Sequence, residues 1–113
     1  MSKPTTIKID NDEYIRKDSV EPLGNTEGAP FRVGHAYLIR TVTMIVTGRV
    51  VGVVGTFLVL AEAAWIADTG RFADCLKSGK ADEVEPAEGH VFVGLPAIID
   101  VYEWKHPLLV VQK

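Results

Sequence analysis

Cysteine is nearly absent from this sequence: Cys75 stands alone among 113 residues. A single thiol excludes an intramolecular disulfide and any multi-cysteine zinc site, and it fits synthesis in a reducing cytoplasm. His35, His90 and His106 lie far apart, and no His-x-x-x-His or Cys-x-x-Cys pair sets metal-ligand spacing. No metal and no other cofactor is expected. Positive charge is short as well, with 12 Lys and Arg against 15 Asp and Glu and a net charge of −3. Without a basic field to gather phosphates, nucleic acid is not an expected partner. Long apolar runs are missing too. The longest charge-free stretch, residues 50–61 between Arg49 and Glu62, has 12 residues, well below the roughly 20 that a membrane helix needs. Its valines, threonine and glycines favour buried strand, so no membrane partner is expected. The opening Met1-Ser2-Lys3-Pro4 is followed by polar β-type sequence without the apolar core of a secretory signal. Export is therefore not expected.

What is present is a chain that is 47% hydrophobic, enough at this length for one compact domain. That size suits a binding or assembly module better than a multi-step enzyme. Thr5-Thr6-Ile7-Lys8-Ile9 and Glu13-Tyr14-Ile15-Arg16-Lys17 flank Asp10-Asn11-Asp12, whose short polar side chains tolerate a tight turn. The pattern predicts a two-stranded hairpin. Two strands alone are marginal in water, so the hairpin must pack on its own domain or on another subunit. Residues 18–34 carry two prolines and three glycines and read as a linker. The chain thus divides into an arm and linker at 1–34 and a β-rich core at 35–113.

Within the core, apolar stretches predict strands at 36–42 and 44–53, with Gly48 as a candidate bulge site, then a turn at 54–56. A third strand starts at 57–60 and continues through Glu62-Ala63-Ala64 into Trp65 and Ile66. Short connections make an antiparallel meander the simplest topology. Asp68 or Thr69 is placed to cap a short helix whose inward face carries Phe72, Cys75 and Leu76 and which stops at Gly79. Residues 80–90 read as an acidic loop holding Asp82, Glu83, Glu85 and Glu88. A last long strand, 91–102, is interrupted by Gly94 and Pro96, and residues 108–111 suit a short final strand. The expected fold is mainly β: a small antiparallel sheet or partly open barrel with one short helix and an N-terminal β-hairpin arm.

No residue presents itself as catalytic, and the expectation is a protein that is not an enzyme. Cys75, on the inward face of the helix, has its thiol pKa raised by apolar surroundings and is inert. Ser2, Ser19 and Ser78 lack the strand-turn-helix setting that activates a serine. The acidic loop has no rigid element to fix two carboxylates at a working separation. Arginines are more informative. Arg40 and Arg49 sit in apolar strands and each needs solvent, a carboxylate or a bound anion. Arg71 stands in the first turn of the proposed helix beside Gly70 and free N–H groups. With Trp65, Asp68 and Thr69, these three arginines form the candidate ligand-binding set, suited to a phosphate. The competing reading places Arg40 and Arg49 on a solvated sheet face and pairs Arg71 with Asp68 or Asp74. Trp65 and Trp104 suit core or interface anchors.

Three blocks carry a resemblance. Ile-Asp-Asn-Asp-Glu-Tyr-Ile-Arg-Lys-Asp-Ser (9–19), Tyr-Leu-Ile-Arg-Thr-Val-Thr (37–43) and Leu-Ala-Glu-Ala-Ala-Trp-Ile-Ala-Asp-Thr-Gly-Arg-Phe (60–72) look like a family of small proteins encoded by tailed bacteriophages. The closing Asp-Val-Tyr-Glu-Trp-Lys-His-Pro-Leu (100–108) resembles the end of those proteins. The resemblance implies a phage product, and a small acidic β-domain with a hairpin arm suits a noncatalytic virion protein, a capsid decoration, minor capsid or connector subunit. Its implied partners are other virion proteins, the major capsid protein first among them, and further copies of itself in a homo-oligomer. It would be made in the host cytoplasm and reside in the virion. An isolated hairpin gains stability by adding its edge to a neighbour's sheet, so Ile7, Ile9, Tyr14 and Ile15 are the expected partner-binding residues. The alternative is a phage-encoded nucleotide-binding sponge that sequesters a host defence signal through Arg40, Arg49, Arg71 and Trp65.

Overall fold

The computed structural model describes residues 29–113; the expected arm, with Ile7, Ile9, Tyr14 and Ile15, lies outside them. Six strands form one antiparallel sheet: β1 (Ala36–Thr41), β2 (Ile45–Val54), β3 (Phe57–Asp68), β4 (Glu83–Pro86), β5 (Val91–Gly94) and β6 (Ile98–Glu103). One helix, α1 (Phe72–Ser78), follows β3, and a single 3-10 turn at Leu95–Ala97 joins β5 to β6. The strands lie in the order β4-β3-β2-β1-β6, with β5 on the same side of β3 as β4. β5 takes residues 57–60 of β3, and β4 takes residues 64–68. The molecule is mainly β with one helix, as the apolar patterning predicts.

The meander follows from its turns. Gly55-Thr56 closes the β2–β3 hairpin with Gly55 at φ 60°, the first-position glycine that a twisted two-residue hairpin requires. The Thr41 hydroxyl accepts a bond from the Met44 N–H and donates to its carbonyl, tying off the β1–β2 turn. These two turns flank β2, whose ten residues would be about 33 Å long if straight. Yet Leu95 donates its N–H to Thr56 and Ala97 accepts one from Val42, and three residues span at most about 10 Å. The sheet therefore curls on itself as a partly open barrel.

Two bulges provide the bend. Val51 is the extra residue on β2, and Glu62-Ala63 on β3 together oppose Gly48. A bulge does sit at Gly48, but the additional residue is across the ladder, at Glu62, whose φ is 52°. A Cβ on Gly48 would meet the Leu60 Cβ at 3.0 Å and that of Ala63 at 3.3 Å. Glycine makes the room that the crowded partner strand needs.

Each face of the sheet carries a buried apolar cluster. On the concave side Tyr37, Ile39, Val46, Val50, Leu58 and Leu60 pack with Phe31 and Val93. On the convex side Leu38, Ala64, Ile66 and Val84 lie beneath Cys75 of α1 and Trp104. Burial pushes the Cys75 thiol pKa up, and the Asp82 carboxylate adds to the shift.

Several local expectations are corrected. Residues 29–34 are part of the core rather than linker: the Phe31 ring meets Tyr37 edge-on at 5.3 Å, and Gly34 donates its N–H to Val50. The acidic loop contains β4, because Val84 fills a place beside Ile66 while Glu83 and Glu85 point outward. Residues 91–102 are two strands on opposite sides of the sheet, divided at the Pro96 turn. Residues 108–111 form no strand. That segment instead passes the end of α1, where His106 Nε2 is 2.7 Å from the Leu76 carbonyl and donates to it, and Lys113 exchanges backbone bonds with Val84. Neither Asp68 nor Thr69 caps α1; β3 runs through Asp68 and the capping position is Arg71, without a side-chain bond. Gly79 does stop the helix, at φ 76° with its N–H on the Cys75 carbonyl, and any Cβ there would collide with the His106 ring.

Candidate functional site

Arg40 and Asp100 are direct cross-strand partners on β1 and β6. Two guanidinium N–H groups, on Nε and Nη2, donate to the two carboxylate oxygens, with Nε–Oδ1 at 2.7 Å. Such a fork is among the stronger charge-assisted arrangements. Tyr102 adds its hydroxyl to Asp100 Oδ2 at 3.1 Å. The guanidinium also lies 5.0 Å from the Phe72 ring centroid and 5.7 Å from that of Tyr102. Hydrogen bonding from Arg40 holds the Asp100 carboxyl below its usual range, and the same pair raises the Arg40 pKa. The charge of Arg40 thus serves to seat α1 on the sheet through Phe72.

Arg49, on β2, pairs with Ala36 at the other end of β1 from Arg40. Its Nε donates to Glu62 at 2.8 Å and its Nη1 to the Gly34 carbonyl at 3.1 Å. The β3–α1 turn is a third, separate place. There Asp68 Oδ1 accepts the Gly70 N–H at 2.8 Å, and the Thr69 hydroxyl donates to the Gly70 carbonyl. The Asp82 carboxylate is packed against the Gly70 backbone from the other side. Arg71 is exposed, and among the described residues it forms no ion pair with Asp68 or Asp74.

Trp65 occupies a fourth place. It pairs with Val46 and Glu85, which sets it on the concave side, away from Arg40, and leaves it 45% exposed rather than in the core. Trp104 is the buried tryptophan, 4% exposed, with its indole N–H on the Pro107 carbonyl. Arg40, Arg49, Trp65 and the Asp68-Thr69-Arg71 turn are therefore not brought together. Two of the cations already hold carboxylates, and the turn that carries the third is lined by two more.

Surface features are more distinctive than any pocket. Val54 faces Phe57 across the β2–β3 ladder, and Phe92 faces Val59 across β3–β5. Alternation puts all four on one face, where Phe57 and Phe92 are 49% and 64% exposed. Beside Phe57 is Gly94, which has open space where a Cβ would be. The second feature is the outer edge of β6. Trp104 donates its N–H to Ala36 in the register that pairs Leu38 with Tyr102 and Arg40 with Asp100. Residues in that phase bond to β1, so Val101 and Glu103 turn their N–H and C=O groups outward. These groups meet no partner among the described residues. At the opposite side of the sheet Val84 of β4 is covered by Lys113.

Neither feature was read from the sequence, though signals exist: Phe92 stands between the inward Val91 and Val93, Phe57 directly precedes the inward Leu58, and 98–103 contains neither lysine nor proline. Among the described residues no group of three His, Cys, Asp or Glu is placed to hold a metal ion, and no helix is long and apolar enough to cross a membrane. Comparison of the chain with protein-family models, curated proteins and solved structures finds no match.

Proposed function

We propose that this chain is a noncatalytic bacteriophage virion protein: a capsid decoration, minor capsid or connector subunit that acts by protein–protein assembly. Its partners are other virion proteins, the major capsid protein first among them. The observation that carries the reading is the exposed apolar face of Val54, Phe57 and Phe92 on a rigid sheet. Contiguous apolar surface of this kind marks contact sites for other proteins. The outward backbone groups of β6 offer a second mode of contact, strand addition. The phage origin rests on the resemblance of residues 9–19, 37–43 and 60–72.

Quantitative mass spectrometry of purified particles tests the proposal. The protein is expected at a copy number that scales with capsid symmetry, and its absence from particles would overturn the reading. Titration with cyclic and phosphorylated nucleotides by calorimetry tests the sponge alternative. No binding is expected, because Arg40 and Arg49 are engaged with Asp100 and Glu62. Submicromolar binding that Arg49→Ala with Arg71→Ala weakens tenfold would replace assembly with sequestration.

A further inference from the structure

We propose that the outer edge of β6 accepts a strand formed by residues 5–9 of a second copy of this chain, an inference that rests on the assembly reading above. The acceptor is defined by backbone geometry. Val101 and Glu103 present two N–H and two C=O groups to the outside, and an open edge of this kind is a template for another strand. A bulge disturbs the ladder only at its start, where Ile99 is the extra residue between Ile98 and Asp100. From Asp100 to Glu103 the edge is regular and free of lysine and proline.

The donor is identified by position and pattern. Ala29, Pro30 and Phe31 line one cleft with Leu95, Ile98, Ile99 and Val101, so the amino-terminal 28 residues start beside this edge. Ala29, Pro30 and Phe31 lie beside the Ile98 end of their own edge. The 19 residues from 10 to 28 reach about 65 Å when extended, ample to cross between copies. In Thr5-Thr6-Ile7-Lys8-Ile9 the two isoleucines are two apart and share one face of a strand, with Lys8 on the other. Added to β6, that alternation puts Ile7 and Ile9 on one face of the sheet and Lys8 on the other. Each copy carries one donor and one acceptor, so exchange builds a dimer, a ring or an open filament.

The test uses the full chain. A photo-crosslinking p-benzoylphenylalanine replaces the exposed Glu103, in a mixture of isotopically labelled and unlabelled copies. Crosslinks are expected between differently labelled copies and within residues 5–9, and a photo-reactive group tolerates a shift of register. Crosslinks confined to one copy, or mapped elsewhere, or absent, would overturn the proposal. Independently, Glu103→Pro removes an outward N–H without touching the β1 ladder, a place where edge strands tolerate proline. It should weaken self-association at least tenfold in sedimentation with an unchanged circular dichroism spectrum; unchanged association ends the proposal. The two readings fail separately. A protein found in particles without exchange ends this inference alone, and exchange in a protein absent from particles ends the assembly reading alone.

Discussion

The apolar clusters on the two faces of the sheet are buried by different means. The concave face is closed by the sheet itself, whose curl brings β5 and β6 over side chains of β1, β2 and β3. The convex face is covered by later pieces of chain: α1, Trp104 and the segment that ends against Val84. The first contains only apolar side chains and one tyrosine. The second tolerates polar atoms, with the Arg40–Asp100 pair at its margin and Thr47 fully buried between Leu38 and Ala64. Among the described residues the Thr47 hydroxyl has no hydrogen-bond partner. A surface made by one curled element is dry and uniform, whereas a cover assembled from separate pieces leaves polar groups where the pieces meet.

The strongest way to break this comparison is to hollow each side in turn. Leu60→Ala on the concave face should cost about 3–5 kcal/mol, since its neighbours are fixed by the curl and cannot collapse into the cavity. Trp104→Ala on the convex face should cost about 3 kcal/mol, the lower end for a large aromatic, because its cover can resettle. Urea unfolding of both variants decides it, and a costlier Trp104→Ala would reverse the assignment of the rigid face. Next in size is a gain. Thr47→Val keeps the shape and removes the unpartnered hydroxyl, and should raise stability by about 1 kcal/mol in the same assay. Smaller again is Trp65→Ala, which should cost under about 1 kcal/mol in an isolated chain because much of the ring is already in water. The smallest effect is read by pH. Asp100 has a lowered pKa in the folded chain, so its contribution is complete above the ordinary carboxyl range near pH 4 and is lost as pH falls through the lowered value. The stability gap between the parent and Asp100→Asn should therefore be constant near neutrality and close under acid. A gap that does not narrow on acidification would show that Asp100 acts through packing instead.

What was legible in the sequence was local. The turn at Gly55-Thr56, the stop at Gly79 and the inward Cys75 each depend on one residue and its near neighbours. Of the two readings of Trp65, core or interface, a single bulge removes the core one. Without the extra residue at Glu62, alternation from Leu58 and Leu60 would place Glu62, Ala64 and Ile66 on the concave side and Trp65 beneath the helix. The bulge reverses that phase, buries Ala64 and Ile66 on the convex side and puts Trp65 on the concave side, where it is half exposed. β4 was missed because Glu83-Val84-Glu85-Pro86 has one apolar residue and becomes a strand only by pairing with β3. The arginines show the same limit. Arg49 finds its carboxylate 13 residues away and Arg40 finds one 60 residues away, separations that no spacing rule reaches. The candidate anion set joined residues by type, and the fold distributes them by register.

The closing turn at Leu95–Ala97 also sets the order of events in time. β1 is the first strand of the described chain, yet its second neighbour, β6, lies some 60 residues later. Pairing over so long a loop gives little return until most of the chain is in place, and folds rich in such contacts form in about milliseconds to seconds. The β1–β2–β3 meander can assemble early from neighbouring sequence. The seam between β1 and β6 must then wait, so a newly made chain passes through a stage in which the concave apolar side chains are lined up but not enclosed.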